Sequence, residues 1–367
     1  ESMNILKDYY DIANQYDPGA FPGYDYIIIL NDTFAENVLS LIQPLEVEGY
    51  GTVTADNLFD FIKNQTDDPK YAWDPNRKGI IKDIANAAKK KFFDLPVNDF
   101  SKLIGTLIKS IQAKDIGFSS PRNPTLQAFF DSYGMSGKTI KNFQGDYFQL
   151  GEAQNCSLKL NKWVRDTITQ NINIDGEGNI TRSANIKWIQ PKVYDSSLGL
   201  GKYDTSGRFI YRAWVRLFIP NGTTDINSDG YDKSSYLYYW PVAYYDGVMD
   251  KNVSDNIIAF DHRRFSESDP IPGIDLNVTY NLPPTINYLK DGKYTLILQK
   301  HPGKAWGEQN IINITQNQTT YTATVTLDRD KIVSYKDGII SVDNLNKSLD
   351  WIMELSSKIP WDKIKGN

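Results

Sequence analysis

The hydrophobic period of this chain changes near residue 157, and that change limits the fold more than any other feature of it. Upstream, apolar residues recur three and four apart, the spacing of one helix face. Downstream they alternate with polar residues, as in strands with one covered face. A pattern of one period does not settle in the other structure. The chain therefore reads as α+β: a helix-rich, partial α/β domain over 1–150, an antiparallel, Ig-like β-sandwich over 157–330, and an amphipathic C-terminal helix over 343–359.

The upstream part supplies its own helix signals. Asp74-Pro75 reads as a cap and first-turn proline for a helix over 77–92, where Ile80, Ile81, Ile84, Ala88 and Phe92 share a face. Lys89-Lys90-Lys91 lies near its C-terminal end, where positive charge opposes the helix dipole; a phosphate-binding patch is the alternative. Asp99 opens a second helix, and Asn123-Pro124 a third that Gly134 can close. Further helices are expected over 33–42 and over 54–62, the latter capped by Thr54. Tyr26-Ile27-Ile28-Ile29-Leu30 reads as a buried strand. A single buried strand needs sheet neighbours for its backbone groups, so the chain is expected to begin partway through a domain completed by an upstream segment.

The downstream part shows candidate strands at 158–169, 180–189, 209–219, 236–244, 256–265, 275–280, 294–299 and 321–327. Asp175-Gly176, Asn221-Gly222, Asp229-Gly230, Asp246-Gly247 and Asp291-Gly292 mark turns between them. Leu345, Leu349, Ile352 and Leu355 give the tail its helical stripe.

Composition narrows the chemistry. Lys and Arg number 40 against 45 Asp and Glu, a net charge of −5, so nothing draws the chain as a whole to nucleic acid or an anionic membrane. No apolar run approaches the ~20 residues of a membrane helix. The one cysteine, Cys156, excludes an internal disulfide and a Cys-based zinc site. The two histidines, His262 and His301, stand in no ligand-spaced motif. Chemistry here would have to rest on carboxylates, arginines and bound metal.

Two surface patterns stand out. Asp225-Ile226-Asn227-Ser228-Asp229-Gly230-Tyr231-Asp232 opens as a calcium loop does, with oxygen ligands at alternate positions and glycine sixth. Tyr236 stands where the bidentate Glu belongs. Asp225, Asn227, Asp229 and Asp232 are thus candidate Ca2+ ligands, with an ion-free Asp-Gly hairpin as the alternative. Asn-X-Ser/Thr sequons recur at Asn31, Asn64, Asn155, Asn179, Asn221, Asn252, Asn277, Asn313, Asn317 and Asn346. They mark an exported surface if the source glycosylates asparagine, and otherwise reflect an Asn-rich composition.

Ordered motifs then carry a resemblance. Tyr24-Asp25-Tyr26-Ile27-Ile28-Ile29-Leu30-Asn31, Leu41-Ile42-Gln43-Pro44-Leu45-Glu46-Val47, Thr52-Val53-Thr54-Ala55-Asp56-Asn57-Leu58 and Asp74-Pro75-Asn76-Arg77-Lys78 come first. Asn161-Lys162-Trp163-Val164, Arg216-Leu217-Phe218-Ile219-Pro220-Asn221-Gly222 and Leu298-Gln299-Lys300-His301-Pro302-Gly303 follow. In this order they resemble the bacterial family labelled domain of unknown function 4012, over about residues 24–330. The resemblance implies an extracellular cell-envelope protein, held at the membrane by an N-terminal anchor that this sequence does not contain. More distantly, the first part is similar to the LytR-CpsA-Psr phosphotransferases, which move glycan from a polyprenyl-pyrophosphate carrier. That likeness implies a phosphate contact at Arg77, although Lys78 stands where the family's glutamine usually follows.

Two functions are therefore expected. One is a non-catalytic envelope module whose aromatic-rich β surface meets protein or glycan. The other is part of a phosphotransferase whose site an upstream segment completes. The expected partners are envelope protein or glycan, with Ca2+ the one candidate cofactor.

Overall fold

A computed structural model describes residues 2–18, 24–66, 74, 76, 78–96, 99–140, 143–154, 164–189, 213–229, 248–249, 256–260, 274–304 and 307–359. The chain divides into one unit of Glu1–Lys138 with Asn346–Asn367, and a second of Thr139–Leu345. The chain is α+β, with all described helices but one short one in the first unit and most strands in the second.

In the first unit α1 (Ser2–Tyr16), β1 (Ile27–Leu30), α2 (Asp32–Ile42), β2 (Leu45–Val47), β3 (Gly51–Val53), α3 (Leu58–Thr66), α4 (Gly79–Phe93), α5 (Phe100–Gln112), β4 (Ile116–Ser119) and α6 (Pro124–Ser132) follow in order. Asn31 caps α2, its Oδ1 accepting from Phe34 N at 2.8 Å, while its Nδ2 donates to Asp115 Oδ1 at 2.9 Å. Asn123 caps α6 as its sequence predicts, accepting from Leu126 N at 3.0 Å, and Gly134 takes the left-handed φ of 67° that follows the helix. Two helix starts differ from expectation. α3 begins at Leu58, because Asn57 Oδ1 accepts from Thr54 N at 2.8 Å and holds a turn where helix was expected. α4 begins after Lys78, and Asp74 Oδ1 instead accepts from Asn76 N at 2.7 Å.

The expected buried strand is corrected: Ile28, Ile29 and Leu30 are exposed. Among the described residues β1 pairs with β4 alone, antiparallel, in a two-stranded sheet.

The second unit holds β5 (Asp146–Gln154), β6 (Arg165–Ile174), β7 (Ile180–Ile189), β8 (Ala213–Ile219), β9 (Thr224–Asp229), β10 (Val248–Met249), β11 (Asn256–Phe260), β12 (Ile274–Asn281), α7 (Tyr288–Asp291), β13 (Tyr294–Leu298), β14 (Glu308–Gln316), β15 (Thr319–Leu327), β16 (Lys331–Lys336) and β17 (Ile339–Asn344). A seven-stranded sheet runs β10-β11-β8-β5-β13-β16-β17 and a six-stranded sheet β15-β14-β6-β7-β12-β9. Residues of both sheets, among them Phe148, Leu217, Leu296, Ile168, Ile186 and Ile312, share one buried cluster. The pairing is not antiparallel throughout, since β5 with β13 and β6 with β14 are parallel.

The β unit extends beyond the expected 157–330 at both ends. β5 escaped notice because its first residues, Asp146 to Leu150, are buried without alternation, and β14 because it turns Glu308 and Asn310 inward. The expected helix over 343–359 shortens to α8 (Asp350–Lys358), since β17 claims the chain through Asn344. The expected strand over 236–244 lies outside the described residues.

Candidate functional site

The alternation that builds the six-stranded sheet sends its apolar residues to the core and a second set outward. That second set is almost uncharged. Register carries one rung across all six strands: Thr322, Asn313, Asn171, Ser183, Thr279 and Asn227. The next rung is Thr320, Thr315, Asn173, Thr181, Asn281 and Thr224. On the other side lie Thr324, Ile311, Thr169, Asn185 and Asn277; Arg165 and Lys187 add charge further along β6 and β7, and Asp225 meets Asn281 on β9.

These side chains bond across the strands. Thr322 Oγ1 donates to Asn313 Oδ1 at 2.9 Å, Asn313 Nδ2 to Asn171 Oδ1 at 2.9 Å, and Asn171 Nδ2 to Ser183 Oγ at 3.0 Å. Thr181 Oγ1 donates to Asn281 Oδ1 at 3.0 Å, and Asn185 Nδ2 to Asn277 Oδ1 at 2.6 Å. The face is thus a pre-ordered array of short hydroxyl and amide groups that keep unused donor and acceptor capacity toward solvent.

Beneath it, the core holds a connected polar network. Arg182 and Asp146, both fully buried, pair across the two sheets at 2.7 Å. Tyr294 OH also donates to Asp146, and the Arg182 guanidinium lies 5.5 Å from the Phe148 ring centre and 5.6 Å from that of Tyr280. Arg182 also donates to Gln170 Oε1, Gln170 Nε2 to Asn310 Oδ1 at 2.6 Å, and Asn310 Nδ2 to Glu308 Oε1 at 2.9 Å. Glu308 meets Lys304, whose Nζ lies 2.6 Å from Asp166 Oδ2 and 3.3 Å from both Glu152 Oε2 and Glu308 Oε2. Trp188 Nε1 donates to Glu152 Oε1.

Three carboxylates around one ammonium leave excess negative charge in a low-dielectric place. Burial, opposed by Lys304 and reinforced by Asp166, pushes the Glu308 carboxyl up to about 7. Burial works against the charge of Lys304, but Asp166, Glu152 and Glu308 outweigh it and hold the ammonium well above its ordinary value. For Arg182 burial is likewise outweighed, chiefly by Asp146, so the guanidinium stays charged. The network binds the sheets to one another; its ionisable groups are spent on partners inside the core.

Of the residues singled out from sequence, Arg77 and Asp232 lie outside the described residues, as do His262 and Cys156. Asp225 and Asn227 lie on β9, which among the described residues is the last strand of its sheet. Asp225 has a left-handed φ of 54° at an irregularity where the register between β9 and β12 shifts. Asp225 Oδ2 accepts from Asn281 Nδ2 at 2.7 Å, and Asn227 Nδ2 donates to Asp225 O at 3.0 Å. Among the described residues no group of three His, Cys, Asp or Glu is placed to hold a metal ion. His301 packs against Gly151, where an added Cβ would lie 3.4 Å from its ring.

Sequence reasoning missed both the neutral face and the buried network. The face had a readable signal: in the sequons Asn277-Val278-Thr279 and Asn313-Ile314-Thr315, Asn and Thr two apart share one side of a strand. The network had none, since its members are scattered from Asp146 to Asn310 and only the pairing of strands assembles them. Every aromatic side chain that can be placed in the described β unit is buried or half-buried, and the aromatic-rich run over 236–245 lies outside the described residues.

No protein-family model matches the chain, and no curated protein is significantly similar to it.

Proposed function

We propose that this chain is a non-catalytic module of the bacterial cell envelope that binds uncharged glycan on the outer face of its six-stranded sheet. The family resemblance supports the extracellular setting. The uncharged rungs of Thr, Asn and Ser carry the binding reading. The β unit acts in this reading as an Ig-like sandwich, a rigid platform stiffened by the Arg182–Asp146 pair.

The physical case rests on matching. A polyhydroxyl chain offers neutral donors and acceptors, which neutral amides and hydroxyls can meet without stripping water from a charge. Short side chains already fixed by cross-strand bonds lose little freedom on binding, whereas Lys or Glu in the same places would lose more. A polyanion finds no counter-charge within the Thr, Asn and Ser rungs themselves.

The test is affinity electrophoresis and calorimetry against soluble uncharged polysaccharides and against polyuronates. Binding is expected to uncharged polymer alone. Asn313→Lys and Thr279→Lys should each weaken it about tenfold or more, with melting temperature held within a few degrees. Equal binding by these variants, or preference for polyuronate, sinks the reading. Saturable binding of polyprenyl pyrophosphate, abolished by Arg77→Ala, would replace it with the phosphotransferase one.

A further inference from the structure

An amine and three carboxyl groups meet where the two large sheets close on each other. Lys304 lies in the loop before β14, and Lys300 Nζ donates to Lys304 O at 3.0 Å, which fixes that loop. Asp166 is the second residue of β6 and Glu308 the first of β14, and these two strands run side by side and parallel. Glu152 reaches the same point from β5 in the opposite sheet. The side chains of Lys304, Asp166 and Glu152 are 12%, 10% and 11% exposed, and that of Glu308 2%. Trp188, fully buried and paired with Asp166 across β6 and β7, donates to Glu152 and helps to keep water out.

An ion pair does not need this many acids. One carboxylate neutralises one ammonium, and each further one is costly to bury. The geometry suits a condensation instead. Lys304 Nζ is 2.6 Å from Asp166 Oδ2, with the carboxyl carbon one bond further, and both glutamates are 3.3 Å from the same nitrogen. Burial, opposed by Lys304 and reinforced by Asp166, raises the Glu152 carboxyl, so it can accept a proton. Glu308, raised by burial and further by a hydrogen bond with Asp166, carries a proton at neutral pH and is placed to donate it there.

We propose that Lys304 and Asp166 join in an amide crosslink that the folded chain forms by itself, with Glu152 and Glu308 moving the protons. Glu152 takes one proton from the ammonium, leaving a neutral amine. Glu308 protonates an Asp166 oxygen as Nζ attacks Cγ, and recovers a proton from the nitrogen. Glu152 then protonates the departing oxygen, the Cγ–O bond breaks, and water leaves. Ammonium and carboxylate have become amide and water, both glutamates are as they began, and no oxidant or cofactor is consumed. The carboxylates hold the Lys304 ammonium charged, so the first proton transfer limits the rate, but each chain reacts only once. Two buried charges are replaced by a neutral amide, which favours the product. Burial still favours the protonated form of Glu308 afterwards. The bond joins residues 138 positions apart and restricts the unfolded chain as a disulfide would, in a chain whose one cysteine permits no internal disulfide. This chemistry is separate from the neutral face and stands whether or not glycan binds there.

The test is the intact mass of the whole chain, measured after purification in the folded state and then denaturation. A deficit of about 18 Da, one water, is expected, and peptide mapping should yield a branched peptide joining Lys304 to Asp166. Lys304→Arg keeps the charge without a reactive amine, and Asp166→Ala leaves the ammonium two carboxylates; each should show its full mass. In chain freshly made by cell-free synthesis, Glu308→Gln should lose water at least about tenfold more slowly than the unaltered chain. A full mass for the unaltered chain overturns the proposal, whether or not any variant folds. A deficit that maps to other residues, or that persists in Lys304→Arg, overturns it as well. An equal rate in Glu308→Gln overturns the proton path.

Discussion

Glu308 shows how one buried residue can make a whole fold respond to pH. Its carboxyl titrates near 7 when folded, against the ordinary glutamate range when unfolded, so folding favours its protonated form. The stability this gives is fully present below the unfolded value and is lost as pH rises through about 7. The β unit should therefore lose on the order of 2–3 kcal/mol between pH 5 and 8 from this group. Glu308→Gln should flatten that slope in urea unfolding followed across the same pH range. An unchanged slope would place the titration elsewhere. Arg182 makes a complementary case. Arg182→Leu leaves Asp146 buried without its cation and should cost about 3–5 kcal/mol in urea unfolding at neutral pH. Adding Asp146→Asn should recover part of that loss, because the stranded charge, more than the missing contact, is what destabilises.

Among the elements, the β6–β7 hairpin depends on a short helix far along the chain. Asn287 Oδ1 accepts from Leu289 N and Lys290 N at 3.1 Å each, and its Nδ2 donates to Glu177 O at 3.2 Å, joining α7 to the hairpin turn. Gly178 in that turn has φ of 80°, and an added Cβ would lie 2.7 Å from Asn287 Oδ1 and 2.8 Å from Leu289 N. Gly178→Ala should destabilise by about 1–3 kcal/mol through backbone strain and this collision. Asn287→Ala should cost about 1–2 kcal/mol as a lost cap and a lost tether. Thermal melts of both single variants and the double variant check the link: their effects should combine less than additively, since each disturbs the same contact.

At the scale of the whole molecule, the chain leaves its first unit at Lys138 and returns to it at Asn346. Leu349, Ile352 and Met353 pack with Ile108, Ile111 and Ile116, so α8 belongs to the core of the first unit despite its distance in sequence. Gln112 Nε2 also donates to Asp350 Oδ1 at 2.6 Å. Ending the chain after Leu345 should lower the unfolding temperature of the helical unit by several degrees and leave the β unit's transition in place. Calorimetry of the shortened chain reads both transitions. The β unit, residues 139–345, carries a buried cluster of its own and should unfold cooperatively when expressed alone.

What sequence alone determined here was local. Period three-and-four told helix from strand, Asn123 announced its cap, and 180–189 emerged as β7 with those bounds. These are legible because capping and alternation act between residues a few positions apart. The tertiary structure decided what depends on non-local partners. Ile27–Leu30 has the composition of a covered strand, yet among the described residues it has only β4 beside it. Asp225 and Asn227 have the spacing of a loop, yet they lie on β9, where pairing with β12 shifts register at a left-handed Asp225. Arg182, Asp146, Lys304 and Glu308 look like ordinary surface charges until strands from distant parts of the chain close over them. A side chain's neighbours across a sheet are set by register, and register is a property of the assembled fold.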